Sequence, residues 1–248
     1  MESIRPLIKK AKTASGILRS LDVNATTSIL GDMAETVKNN REMLIKLNKQ
    51  DVENGKAMHL SPLMMERLQL DKTRLTNIAG LLQGLSETAD LSLYNRQFKR
   101  SDKNLFTYAP EVMGIIYESC PFITAVSAGL SIKAGSIVIL RGGKEAFHTN
   151  TALASILSDV LEKYHLPREI ITLIPSTDRV LMAELIRLSD LVDIIVPQGS
   201  EGLIQYVTNN SLIPVIRGYN GLFNLCVDRE IEIDKAIKQL LSSDNSAE

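Results

Sequence analysis

Three short segments hold the residue types that could meet an anionic ligand or an acyl group. Arg141-Gly142-Gly143-Lys144 follows the apolar run Ile137–Leu140 and precedes a helical stretch. Its glycines permit a tight turn and close backbone approach. Arg141 and Lys144 put positive charge at a strand end, where a nucleotide phosphate could sit. The same four residues equally make a plain strand-to-helix turn, and the GxGxxG fingerprint is absent. Pro197-Gln198-Gly199-Ser200-Glu201-Gly202 closes a second apolar run and opens another helix. Gly199 and Ser200 would offer backbone N–H groups and a hydroxyl at a helix N-terminus, a natural phosphate seat. Glu201 cuts both ways, repelling an anion or completing the helix start. The third segment is Tyr117-Glu118-Ser119-Cys120-Pro121-Phe122. Cys120 stands just before a helix, where a thiol can become acidic, while Cys226 lies in the apolar run Phe223–Val227. Inert packing is the expectation for both cysteines. His59, His148 and His165 are scattered without partners at ligand spacing, so no metal is expected.

These segments need a scaffold, and the chain supplies two kinds. Over residues 1–90 the apolar spacing is helical: Ile4, Leu7, Ile8 and Ala11 share one face, and Leu75, Ile78, Ala79 and Leu82 another. Four or five helices are expected there, one starting at Ser61-Pro62. Residues 91–109 read as a hairpin or extended arm, or equally as a surface loop. Residues 111–241 alternate strand and helix, the pattern of a Rossmann-like domain. Strands are expected at Val112–Tyr117, Ser136–Leu140, Ile170–Ile174, Leu191–Val196, Ile213–Ile216 and Phe223–Val227. Continuous apolar runs mark strands covered on both faces. The prediction is therefore an α/β fold, a doubly wound and mostly parallel sheet with N-terminal helices. Such sheets bind ligands at the carboxyl ends of their strands. The polar tail, 242–248, is expected to be disordered.

Composition narrows the partners. A net charge of -1 over 248 residues gives no case for nucleic acid or an anionic membrane surface. No apolar stretch is long enough to span a bilayer, and the N-terminus lacks the apolar core of a secretion signal. Two cysteines far apart suggest no disulfide framework and make a reducing cytoplasm the expectation.

From Gly114 to Glu145 the chain reads GIIYESCPFITAVSAGLSIKAGSIVILRGGKE. This stretch resembles the first nucleotide-binding βαβ unit of the γ-glutamyl phosphate reductase family, within the aldehyde dehydrogenase superfamily. The likeness runs over nearly the whole chain and is strongest over 111–145 and 188–237. It implies the superfamily's dinucleotide-binding domain. It also implies a link to proline biosynthesis, where NADPH and γ-glutamyl phosphate give glutamate semialdehyde, phosphate and NADP. In the family the turn at Arg141 meets the ribose and phosphate of the dinucleotide, and a basic residue there favours NADP. The cofactor-binding residues so implied are Arg141, Gly142, Gly143, Lys144, Gly199 and Ser200, holding NADP weakly.

Departures from the family pattern matter as much. The family reads Tyr-Glu-x-Arg-Pro-Asn where this chain has Tyr117 to Phe122. That Asn is the oxyanion-hole donor, and Phe122 donates nothing; losing one such donor costs about 3–4 kcal/mol of transition-state stabilisation. Cys120 replaces the family's Arg, Val126 an Asp, and Gln198 another Arg. Tyr219 replaces the second of two adjacent glycines and would narrow the crevice. The family's catalytic cysteine falls past Glu248. Together these features imply a catalytically inactive relative, with no catalytic residue of its own, that binds a nucleotide or a protein partner. Two alternatives stay open: one part of a split NADPH-dependent glutamate-5-semialdehyde dehydrogenase, or a purely structural or regulatory binding protein. With the catalytic lobe missing, apolar surface would be covered by self-association, giving a homo-oligomer, or by a hetero-partner.

Overall fold

Side-chain caps begin three of the N-terminal helices. Asp22 accepts from the Ala25 N–H, Ser61 from that of Met64 and Asp71 from that of Arg74. Each such cap is worth about 1 kcal/mol. The computed structural model describes residues 3–88 and 110–217. The expectations for the arm at 91–109, the turn at Tyr219, the strand Phe223–Val227 with Cys226, and the tail at 242–248 lie outside those residues.

Six helices precede the sheet among the described residues: α1 (Arg5–Lys12), α2 (Ser15–Arg19), α3 (Val23–Asn39), α4 (Arg41–Ala57), α5 (Pro62–Leu68) and α6 (Lys72–Glu87). That exceeds the four or five expected because two breaks are too local to disturb the apolar period. Ala14 closes a tight turn onto the Ala11 carbonyl. Asn40, at φ −98° and ψ 12°, interrupts the path between α3 and α4 while its side chain donates to the Thr36 carbonyl.

Four parallel strands follow: β1 (Val112–Tyr117), β2 (Ile137–Arg141), β3 (Ile171–Leu173) and β4 (Ile194–Gln198), in the order β3-β2-β1-β4. Their connections carry α7 (Pro121–Ala134), α8 (Phe147–Lys163), α9 (Arg179–Leu185) and, after β4, α10 (Glu201–Asn210). The α/β, parallel and doubly wound architecture expected from the sequence is the one observed. Its order puts a topological switch between β1 and β4: the chain steps from β1 to β2 to β3 on one side, then crosses to β4 on the other. In open α/β sheets the crevice at such a point is where ligands sit.

The strands expected at Ser136–Leu140 and Ile170–Ile174 move by one residue at each end, and two other strand expectations shift further. The run from Leu191 enters the sheet only at Ile194, because the Leu191 and Val192 N–H groups first bond the Leu188 carbonyl and close a turn. Asp193 then accepts from the backbone N–H of Glu111 and Val112, aligning the starts of β4 and β1. The strand expected at Ile213–Ile216 is reduced to one parallel bridge between Val215 and Ile195. Helices and sheet share one apolar core, which joins Ile8, Leu30 and Met33 to Ile116, Ile139 and Leu157.

A buried polar contact ties the helical segment to the sheet layer. Asp51 of α4, 1% exposed, accepts from the His148 N–H, the Thr149 N–H and the Thr149 hydroxyl at 3.2, 2.7 and 2.6 Å. Ala146, which precedes α8, has no side chain able to cap it. Asp51 therefore caps α8 from another helix, setting the position of the turn that connects β2 to α8.

Candidate functional site

The carboxyl ends of β1, β2 and β4 lie side by side, and each leads into one of the three segments singled out from the sequence. Arg141 is the last residue of β2 and is 7% exposed. Its Nη2 donates to the Thr177 carbonyl at 2.8 Å, while its Nε finds no acceptor. Burial pushes the guanidinium below its ordinary pKa, opposed by the carboxylates of Glu145 and Glu118. A buried donor without a partner costs about 1–3 kcal/mol. Lys144 stands exposed in a single 3-10 turn, Lys144–Ala146.

The two glycines between these cations serve the chain's own packing. A Cβ at Gly142 would lie 2.2 Å from Asn150 Nδ2 and 3.2 Å from the Tyr117 ring. One at Gly143 would collide with the Glu145 carboxylate. Behind them runs a buried polar chain. Tyr117 and Thr124 share a hydrogen bond of 2.6 Å between their hydroxyls, and the Thr124 hydroxyl donates to Asn150 Oδ1 at 3.0 Å. Burial lifts the Tyr117 hydroxyl far above its usual pKa, so the phenol stays protonated. Asn150 Nδ2 is left without a partner.

Beyond β1 the backbone bends sharply. Ser119, 1% exposed, takes φ +48°, a left-handed conformation that costs a non-glycine residue about 1–3 kcal/mol. Its N–H and hydroxyl both donate to Glu145 Oε1, at 2.5 and 3.1 Å. The neighbouring Glu118 turns to the other side. Its Oε2 accepts from the Ser200 N–H at 3.0 Å and the Ser200 hydroxyl at 2.8 Å. Gly199 makes room for this contact, since a Cβ there would stand 2.7 Å from the same oxygen.

Ser200 is also the N-cap of α10, its hydroxyl accepting from the Leu203 N–H. Glu201 occupies the first turn, where a carboxylate complements the helix dipole, and accepts from the Gln205 side chain. That arrangement matches the helix-start reading of Glu201.

Cys120 is the N-cap of α7, with Pro121 in the first helical position. Burial pushes its thiol up; the backbone N–H of Ile123, the guanidinium groups of Arg67 and Arg74, and the Phe122 N–H pull less strongly the other way. The thiol is thus held neutral rather than activated. Phe122 is half-buried against the core and offers no side-chain donor.

Of the six residues expected at a cofactor site, Arg141, Gly142 and Gly143 line the end of β2, with Lys144 just beyond. Gly199 and Ser200 lie across β1, at the end of β4. Sequence reasoning missed Glu118, Glu145, Asn150 and Thr177. Only the strand register could have found Glu118: Tyr117 pairs with Gln198, so Glu118 leaves β1 beside Gly199 and Ser200 as they leave β4. Among the described residues no cluster of three or more His, Cys, Asp or Glu could hold a metal. No helix among them is long and apolar enough to cross a membrane.

Comparison with known proteins adds lineage to this geometry. Residues 1–245 match the aldehyde dehydrogenase family. The γ-glutamyl phosphate reductase of Colwellia psychrerythraea is 35% identical over 247 residues, which cover 97% of this chain and 58% of that protein. The chain thus spans little more than half the length of the curated relatives it matches. The crystal structure of γ-glutamyl phosphate reductase from Thermotoga maritima superposes with a TM-score of 0.77 at 26% identity, over 86% of this chain and 53% of that one. Glyceraldehyde-3-phosphate dehydrogenase GapN from Methanocaldococcus jannaschii, complexed with NADP, shares the fold with a TM-score of 0.64 at 16% identity, covering 89% of this chain and 48% of that one.

Proposed function

The chain belongs to the aldehyde dehydrogenase family, and on that premise we propose that it is a γ-glutamyl-phosphate-reductase-like nucleotide-binding domain without catalytic activity of its own. The observation that carries the reading is local. In the first turn of α7, where the resemblance calls for an Asn donor to a developing oxyanion, Phe122 packs against the core. The adjacent thiol, Cys120, is held neutral by burial. The Phe122 side chain has no hydrogen to donate to an acyl oxyanion, and a thiol kept protonated is a poor nucleophile.

The rest of the site supports weak binding of NADP. Arg141 has a buried Nε still lacking an acceptor, Lys144 adds exposed positive charge beside it, and a solved relative of the same fold was crystallised with NADP. Against tight binding, Gly142 and Gly143 are approached by Asn150, Tyr117 and Glu145, and the Ser200 donors already serve Glu118. When bound, NADP supplies hydride-transfer chemistry. What this chain provides toward it is charge and orientation. A cytoplasmic setting and a second copy or hetero-partner packed on the sheet fit the same reading.

Titration calorimetry with NADP should give a dissociation constant in about the millimolar range, weakened further by Arg141→Ala. The chain alone should not reduce an acyl phosphate with NADPH, nor oxidise glutamate semialdehyde with phosphate and NADP. Turnover by the purified chain would overturn the inactive reading, and absence of any NADP heat would overturn the binding one. A second reading is favoured by the 35% identity that persists to the reductases: the chain contributes its nucleotide domain to a reductase whose thiol and oxyanion donor come from residues outside this stretch.

A further inference from the structure

The contact between Glu118 and Ser200 crosses the topological switch point, the one place where this sheet architecture opens a crevice for a ligand. Two donors that a phosphate oxygen would use, the N–H and hydroxyl at the start of α10, both point at one carboxylate oxygen. The helix dipole favours an anion there whichever anion it is. Arg141, nine-tenths buried with an unpartnered Nε, lies within electrostatic reach of the same carboxylate. Gly199 is the residue that lets this oxygen approach.

We propose that Glu118 is an internal competitor, a carboxylate latch seated where a nucleotide's pyrophosphate would bind. A phosphate-bearing ligand enters only by displacing it from Ser200. The inference rests on the nucleotide-binding reading above and adds the residue that sets its affinity. The latch rejects anions twice, by occupying the donors and by repelling a second negative charge. Nucleosides without phosphate have no cause to compete for it.

The experiment is titration calorimetry of the full chain and its Glu118→Gln and Glu118→Ala variants with NADP, inorganic pyrophosphate and adenosine. Glu118→Gln keeps shape and one acceptor, so it guards against a loss of fold in Glu118→Ala; circular dichroism checks both. Both variants should bind NADP and pyrophosphate more tightly than the parent, on the order of tenfold. The gain should shrink as salt is raised, and adenosine should show none. Unchanged or weaker pyrophosphate binding in a folded Glu118→Gln overturns the latch, whatever NADP does. Tighter pyrophosphate binding with no NADP binding by any form upholds the latch and sinks the nucleotide reading instead. Equal gains for adenosine would mean that Glu118 merely blocks the crevice, and would overturn the proposal of anion competition.

Discussion

Replacing Asp51 with alanine removes a carboxylate that is 1% exposed and accepts three hydrogen bonds from the start of α8. A hydrogen bond to a charged group contributes about 1.5–3 kcal/mol. The three do not add, because the His148 bond is long at 3.2 Å and water can reach part of a vacated helix end. The Thr149 N–H and hydroxyl, both buried, would still be left facing a void. The expected loss is about 2–5 kcal/mol, from two buried donors left without an acceptor at about 1–3 kcal/mol each. Asp51→Asn keeps an acceptor oxygen and should lose about 1–2 kcal/mol. Urea unfolding followed by circular dichroism measures both, with Thr149→Val and the double variant completing a cycle. An unchanged slope with a lowered midpoint means that the described fold loosens as one. A loss below about 1 kcal/mol for Asp51→Ala would refute the reasoning, since a cap borrowed from α4 would then not hold α8.

Two further outcomes follow from the packing and the site. Gly129→Ala places a Cβ 2.5 Å from Leu82 Cδ2 and 3.2 Å from Leu85 Cδ1, where α7 meets α6. The gain in helix propensity, about 1 kcal/mol, should be outweighed by overpacking of about 1–3 kcal/mol; a raised melting temperature would contradict this. Cys120, with its thiol pKa pushed up by burial, should alkylate more slowly than free cysteine at neutral pH in a Cys226→Ser background. Because the folded state keeps the proton longer than the unfolded chain, this residue favours folding fully below the thiol's unfolded pKa. That contribution fades as pH rises through the folded value. Rapid iodoacetamide labelling of the native protein at pH 7 would show an activated thiol instead.

Local sequence signals survived into the structure where local physics governs them. β1 was placed to the residue because both its faces are buried, leaving an unbroken apolar run. The start of α5 followed from Ser61-Pro62, since a cap depends on residues three apart. The start of β4 was not legible, because hydrogen bonds from Leu191 and Val192 to Leu188 decide it, nor was the reduction of the strand at Ile213 to a single bridge. Nor was Asp51 legible as a cap for α8, which lies nearly a hundred residues away and leaves no trace in periodicity.

The sequence alone determined the α/β class, the lineage, the basic turn at Arg141 and the absence of a donor at Phe122. These depend on residue type and short-range spacing. Tertiary structure decided what those residues face. It buried Arg141, turned Gly142 and Gly143 inward onto Asn150 and Glu145, and set Glu118 on Ser200 across the switch point. That last contact joins positions 82 residues apart. Only the parallel pairing of β1 with β4 brings them together, because a strand's register fixes which neighbours its end will meet.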